Sequence, residues 1–425
     1  MRFVCACLLA SLGAAAARAD TPASGAATPA VTGPPAPSGP RRWLDPATAP
    51  FIPIPEIDTD PYSGTTLGLI PTWLSTNPQG EIERIIAPDV IHSEYFGWGS
   101  RMRIFGFPSA DTQWSVVGGG KQRVEREFDG QYVAGQARTS AWSWSAEAIY
   151  DRSGVPRFYG IGNHTPIENQ TNYLDNQARL DVRVGRNLSP HLQLAWLARV
   201  RYVDVLPGVL PTVPSIETRF PGIPGLGAEH ELQQRLILTY DTRDSPIIPG
   251  SGARYSLYGG FVSRALGSSV SYSYLGAEVR QYFALGRDVT LAWHGAARFM
   301  TSAGSAPFWA LSRLGGDRSV PGEYEPLRSE GADRWVDRDL LAVGAELRKR
   351  VLGFDAFGTR VDLELAPFVD AGKVFSDSDS SLGGHVHRAI GLGVRGLASP
   401  YVVGYVDFGY GQGRGAVFSG INYPF

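Results

Sequence analysis

The sequence predicts an all-β protein, a 16-stranded antiparallel transmembrane β-barrel with a long sixth outer loop folded into the lumen. Three observations carry this: segments in which apolar and charged residues alternate, a last strand that ends the chain on aromatics, and a glycine- and charge-rich connection over 308–333. Connections of that length are usually functional or disordered.

The N-terminus reads as a secretory signal over 1–19. Arg2 supplies the positive region, Phe3 to Ala17 the apolar stretch, and Ala17-Arg18-Ala19 the cleavage site. Both cysteines, Cys5 and Cys7, lie inside it, so the mature chain is expected to have no disulfide and no thiolate metal site. Residues 20 to about 50 are rich in Pro, Ala, Thr and Gly, as in Thr32-Gly33-Pro34-Pro35-Ala36-Pro37, and cannot bury enough apolar surface to fold; with Phe51-Ile52-Pro53-Ile54-Pro55 as an extended lead-in, 20–60 reads as a disordered linker. The barrel is then assigned to 61–425.

A formal net charge of -2 without a basic stripe argues against a nucleic-acid partner. No later run reaches the roughly 18 apolar residues of a spanning helix. Glycine (51 residues) and aromatics (11%) fit an all-β chain, either a soluble sandwich or a membrane barrel.

The alternation can be followed residue by residue. Leu192, Leu194, Trp196, Ala198, Val200 and Tyr202 share one face, and Gln193, Arg199 and Arg201 the other. Leu232, Leu236, Leu238 and Tyr240 oppose Gln233, Arg235 and Asp241; Val361, Leu363 and Leu365 oppose Asp362, Glu364 and Asp370. A soluble sandwich also alternates. The last residues favour lipid: Val417, Ile421, Tyr423 and terminal Phe425 fall on one face, which suits a bilayer with aromatics at its interface.

Local reading gives 17 strands. A barrel with both ends on the periplasmic side needs an even number, and taking 81–96 and 112–134 as single long strands gives 16. The long connections 153–172, 206–228, 303–337 and 375–385 then all follow odd-numbered strands. Closure leaves no free edge in lipid, and a lumen this wide is either a pore or plugged.

Several stretches together resemble the BamA/TamA superfamily of outer-membrane barrels, also described as bacterial surface antigens. They are Arg157-Phe158-Tyr159-Gly160-Ile161-Gly162-Asn163, Tyr240-Asp241-Thr242-Arg243-Asp244, Leu314-Gly315-Gly316, Ala345-Glu346-Leu347-Arg348 and Val369-Asp370-Ala371-Gly372. Their order covers nearly the whole barrel. The resemblance implies a sixth loop pinned in the lumen by an arginine of a Val-Arg-Gly-Phe/Tyr tip paired with the Asp of Val-Asp-x-Gly, here Asp370. In this sequence the corresponding stretch is Val320-Pro321-Gly322-Glu323-Tyr324, with proline in place of the arginine. Arg318, or Arg328 further on, is therefore the candidate partner of Asp370, in a latch with Gly315, Gly316, Gly322 and Gly372. The alternative is that Asp370 only joins Asp362 and Glu364 on a hydrated wall. The family's periplasmic POTRA domains do not fit in 20–63, so the resemblance is to a branch without them.

The resemblance further implies inserting, translocating or organising outer-membrane protein or lipid, in the bacterial outer membrane. Its working part is expected at a seam between strand 1 and strand 16, marked by Thr66, Ser419, Gly420, Ile421, Tyr423 and Phe425. Gly420 and Pro424 are expected to weaken that pairing, the alternative being that the terminal proline is only a frayed end. Partners would be outer-membrane lipid, including lipopolysaccharide, and other outer-membrane proteins or a second copy. A passive or structural barrel and a lipid-acting enzyme stand as alternatives. Gly391-Leu392-Gly393-Val394-Arg395-Gly396 matches a dinucleotide fingerprint but reads as strand glycines. His385 and His387 flank Val386 in a polar outer loop, a spacing that can bind a metal but without a third ligand nearby, and Asp377 with Asp379 read as solvated loop residues. No enzyme activity, cofactor or metal is expected.

Overall fold

The computed structural model describes residues 51–425 apart from 61–63, 77–81, 110, 136–137, 247, 357–358, 377–383, 399–401 and 422. The signal sequence, the linker up to residue 50, and Asp377 and Asp379 lie outside the described residues.

The first part of the wall is β1 (Phe51–Asp60), β2 (Gly64–Thr76), β3 (Ile82–Ile86), β4 (Asp89–Ser93), β5 (Gly97–Ser109), β6 (Thr112–Lys121), β7 (Arg126–Ala134) and β8 (Trp142–Ser153). After a two-residue hook, β9 (Arg157–Phe158), come β10 (Thr171–Asn187), β11 (Leu192–Pro207), β12 (Gly227–Asp241), β13 (Gly252–Val262), β14 (Tyr272–Gly286) and β15 (Val289–Ser302). The long connection carries its own three-stranded sheet of β16 (Ser312–Leu314), β17 (Tyr324–Glu325) and β18 (Trp335–Asp337). The wall ends with β19 (Asp339–Ala356), β20 (Thr359–Phe375), β21 (His387–Ala398), β22 (Val402–Gly411) and β23 (Arg414–Ile421).

Successive wall strands pair antiparallel with their neighbours in sequence, and the sheet curls until β1 lies beside β23. The alternation read from the sequence is the inside-outside alternation of this wall. Arg179, Asp181, Arg199, Gln233 and Arg235 are buried, whereas Leu180, Val200, Leu236 and Leu257 are exposed. An outward face this apolar suits lipid rather than water.

The count of 16 needs correction. Among the described residues the sheet has 20 strands, including the hook β9 and the two halves of one strand interrupted at Ala87-Pro88 as β3 and β4, which leaves eighteen positions around the wall. Two differences account for it. Residues 112–134 are a hairpin, with Val117 opposite Asp129, turning at Val124, whose φ is 58°. A β-branched residue in the left-handed region is rare, so nothing in the sequence marks that turn.

The second difference is β1, which falls in the segment expected to be linker and pairs along its length with β2. Pro53 and Pro55 are two apart, so they remove hydrogen-bond donors from only one edge of the strand. Adding two strands keeps the number even. It also makes the 303–338 connection the seventh on its side rather than the sixth.

Candidate functional site

The long connection enters the interior of the sheet from the end where the long loops lie. Phe308, Trp309 and Leu311 pack with Phe158 and Tyr173, Ile216 of the 208–226 connection, and Tyr258, Tyr272 and Tyr274 of the wall, which roofs that end with aromatic surface. Gly315 lets the loop double back. Its φ is 133°, and a Cβ there would lie 2.3 Å from the Gly331 carbonyl oxygen.

At its deepest point the loop places Arg328, fully buried, against β19–β22. Its Nε and Nη2 donate to the two carboxylate oxygens of Asp370 at 2.8 and 2.7 Å, and Nη1 donates to Asp407 at 3.0 Å and to Glu346. The guanidinium also lies 3.6 Å from the centre of the Phe368 ring. Burial works against the charge of Arg328, but Asp370 and Glu346 outweigh it and hold the group well above its ordinary value.

Glu346 is shared further. Arg395 grips it at 2.8 and 2.6 Å, and Arg348 donates to it at 2.8 Å. Asp370, Asp407 and Glu346 thus face Arg328, Arg348 and Arg395 in a buried space, with Glu364 also 3.7 Å from Arg395, and such an arrangement survives desolvation because opposite charges are paired in it. Close approach needs glycine. A Cβ on Gly409 of β22 would lie 1.6 Å from the Arg328 carbonyl oxygen, and one on Gly372 would meet Leu314 at 2.9 Å.

The latch therefore exists, with Arg328 rather than Arg318 as its cation. Arg318 lies over the Tyr405 ring at 5.1 Å, and its Nη2 would be 2.7 Å from a Cβ on Gly420. Asp370 is not merely part of a hydrated wall, since it is buried and accepts both forks of Arg328.

A second fixing point crosses the interior. Glu323 pairs with Arg199 of β11 at 2.8 Å, and the Pro321 carbonyl accepts from Arg235 of β12 at 3.1 Å, with Gly322 at φ 77° beside it. Burial pushes the Glu323 carboxyl upward, but Arg199 and its neighbours hold it well below the usual range. Gly316, also at positive φ, bridges to Leu327.

The other motif residues brace this loop or a turn. Tyr159 lies under Arg334 at 4.5 Å, Gly160 and Gly162 both have positive φ, and the Gly162 N–H donates to the Val336 carbonyl at 2.8 Å. Asn163 accepts from the Val374 N–H at 3.1 Å and donates to the His385 carbonyl at 2.7 Å. His387 stacks on Trp335 at 3.7 Å and reaches the Asn163 carbonyl at 2.9 Å. Asp241 takes both forks of Arg243, and Asp244 accepts from the Ser245 and Gly250 N–H groups, tying the 242–251 turn.

Arg395, Arg348 and Asp407 carry no role in the sequence reading, and Tyr423 is expected there at the seam rather than in this network. The only signal was charge at inward positions of strands otherwise rich in glycine. Gly393 of the dinucleotide-like string is needed here because a Cβ would meet the Asp407 carboxylate at 2.4 Å.

The seam is displaced as well. Thr66 pairs with Asp58 on one side and Ser93 on the other, so it is interior to the sheet, and the strands that meet are β1 and β23. Among the described residues no ladder joins those two. Ser419 and Gly420 are on β23; Ile421 ends it. Tyr423 and Phe425, expected on the lipid face, turn inward instead. The Tyr423 hydroxyl donates to Glu364 at 3.1 Å beneath Arg348, and Phe425 stacks on His294 at 4.2 Å. The Ser319 N–H donates to the Pro424 carbonyl at 3.1 Å, so the loop holds the tail.

A curled antiparallel wall with an apolar exterior, a charged interior and a loop latched inside defines an outer-membrane β-barrel class of protein. The Omp85 superfamily domain matches residues 113–411, and the chain belongs to that superfamily. It is similar in fold to BamA from Haemophilus ducreyi lacking POTRA domains 1–3, at 12% identity and a TM-score of 0.51 over 87% of this chain and 74% of that one. CdiB from Escherichia coli aligns at 10% identity and a TM-score of 0.49, over 88% of this chain and 62% of that one. No curated protein sequence matches.

Proposed function

We propose that the wall closes into a barrel in the bacterial outer membrane and that the junction of β1 and β23 inserts, translocates or organises outer-membrane protein or lipid, including lipopolysaccharide. The supporting observation is the contrast in pairing. Every other neighbouring pair of wall strands has a ladder, while among the described residues none joins β1 to β23. Unpaired strand edges template other strands and disturb the lipid beside them. A passive pore is disfavoured by the long loop, which bridges β11 and β12 to β20 and β22 across the interior.

The test is photo-crosslinking in cells with probes at Ile57 of β1 and Ser419 of β23, and a control at Trp196. Junction-specific adducts to other outer-membrane proteins or to lipopolysaccharide are expected, and adducts to a second copy would place two junctions together. Junction probes that behave like Trp196 would overturn the reading.

A further inference from the structure

The interior is not electrically uniform. On β19–β22 each arginine of the latch faces a carboxylate, whereas on β10–β13 several do not. Arg183 of β10 donates to the Gln193 amide oxygen at 2.8 Å, and the neighbouring charges that act on it, Arg254, Arg138 and Arg235, are all positive. Arg254 of β13 stands between Asp241 of β12 and Arg280 of β14 in the two ladders. The acids near it are already engaged, Glu278 with Arg280, and Asp241 with both forks of Arg243 and, at 4.0 Å, with Arg138. Arg235 donates to neutral acceptors: the Tyr274 hydroxyl at 2.7 Å, the Pro321 carbonyl at 3.1 Å and the Gln233 amide at 3.3 Å.

Guanidinium groups do not shed their protons in proteins. A group of them gathered with too few carboxylates is destabilising unless an anion sits among them. Arg183 and Arg254 are only partly buried, so the interior reaches them. Thr239 and Ser256 lie opposite each other on the same wall and add hydroxyl donors. Arg138 lies between β7 and β8, Arg183 near the end of β10 and Arg254 at the start of β13, so the cluster sits toward the end of the short turns, where β1 begins and β23 finishes. Several planar forks with hydroxyls suit a tetrahedral, multiply charged oxyanion better than a single carboxylate.

We propose that Arg183 and Arg254, with Arg138 and Arg235, form a phosphate-binding site at the inner mouth of the barrel, for a phosphate carried on a lipid headgroup or free in solution. The site does not depend on the junction opening, and its failure would leave that reading intact.

The experiment uses the full chain purified in a neutral detergent, with thermal unfolding followed in inorganic phosphate, in dodecyl phosphate, and in chloride at matched ionic strength. Phosphate is expected to raise the unfolding midpoint above chloride in the wild type and in Arg287→Gln, which removes an exposed charge at the 287–288 turn. Arg183→Gln and Arg254→Gln are expected to abolish that rise; because each also relieves repulsion, both should unfold in chloride no earlier than the wild type. Saturation by dodecyl phosphate at ten-fold or more lower concentration than inorganic phosphate assigns the site to a lipid headgroup, and equal saturation assigns it to free phosphate. No phosphate-specific rise in the wild type, or a rise that persists in both arginine variants, would falsify the site.

Discussion

The wall of β19–β22 and the junction of β1 with β23 are built from the same strand pattern and end in opposite states. In the first, four strands are fully laddered and the long loop adds Arg328, whose donors are taken by Asp370, Asp407 and Glu346. In the second, two strands lie side by side without a ladder among the described residues, and the chain end leaves β23 to enter the interior. Paired charges are concentrated around the loop anchor, while the place where the sheet meets itself is held by the chain end: the Tyr423 hydroxyl on Glu364, and a backbone hydrogen bond from the Ser319 N–H to the Pro424 carbonyl.

The comparison can be broken most sharply at the latch. Arg328→Ala leaves Asp370 buried without its cation and Asp407 with Arg395 alone, at 3.6 Å, and breaking a buried pair of this kind costs about 3–5 kcal/mol. The expected outcome is a large loss of resistance to denaturant and protease cleavage within 303–338, with β1 and β23 little changed in hydrogen exchange. Unaltered loop protection would remove the latch from the account.

Gly409→Ala forces a Cβ into the Arg328 carbonyl, where the contact would be 1.6 Å. Overpacking of this sort costs about 1–3 kcal/mol. The same loop should loosen while the carboxylates keep their cation, which separates backbone fit from charge. Denaturant unfolding of the single variant and of the pair with Arg328→Ala measures this, and the two effects should be less than additive because both act on one contact.

At the junction, Tyr423→Phe removes one hydrogen bond to Glu364, worth about 1.5–3 kcal/mol for a charged acceptor. Its signature is faster exchange at β23 with the loop unaffected. If Tyr423→Phe frees the loop as much as the tail, the two regions are one cooperative unit.

Acid pH probes the loop's crossing point. The Glu323 carboxyl is held below its ordinary value by Arg199, so its contribution is complete above the unfolded value of about 4.3 and is lost as pH falls through the lower folded value. Hydrogen exchange near 320–325 should rise only under strongly acid conditions, and Glu323→Gln should make that segment open at neutral pH. The smallest effect is expected for Arg318→Ala, which loses a cation–π contact with Tyr405 worth about 0.5–1 kcal/mol and leaves the loop anchored.

Much of this was legible because strand alternation is a local property. The inward carboxylates Asp370 and Glu364 and the outward Trp196 and Leu236 follow from a period of two, whatever the strands pair with. The hairpin at Val124 was not legible, since turn chemistry usually announces itself with glycine or asparagine at positive φ. Strand β1 was hidden by Pro53 and Pro55, whose cost depends on which edge of the strand meets a partner.

The sequence by itself determined an all-β wall with one charged face, a long connection over 308–333, and Asp370 on that charged face. Only the tertiary structure decided which cation arrives, that Glu346, Asp407 and Arg395 join it, that β1 rather than β2 meets β23, and that Tyr423 and Phe425 turn inside. The reason is physical. Alternation is written into neighbouring residues of one strand, whereas the choice between Arg318 and Arg328 is made by how far a loop can fold before its backbone meets a glycine, and that distance is set by strands remote from it in the chain.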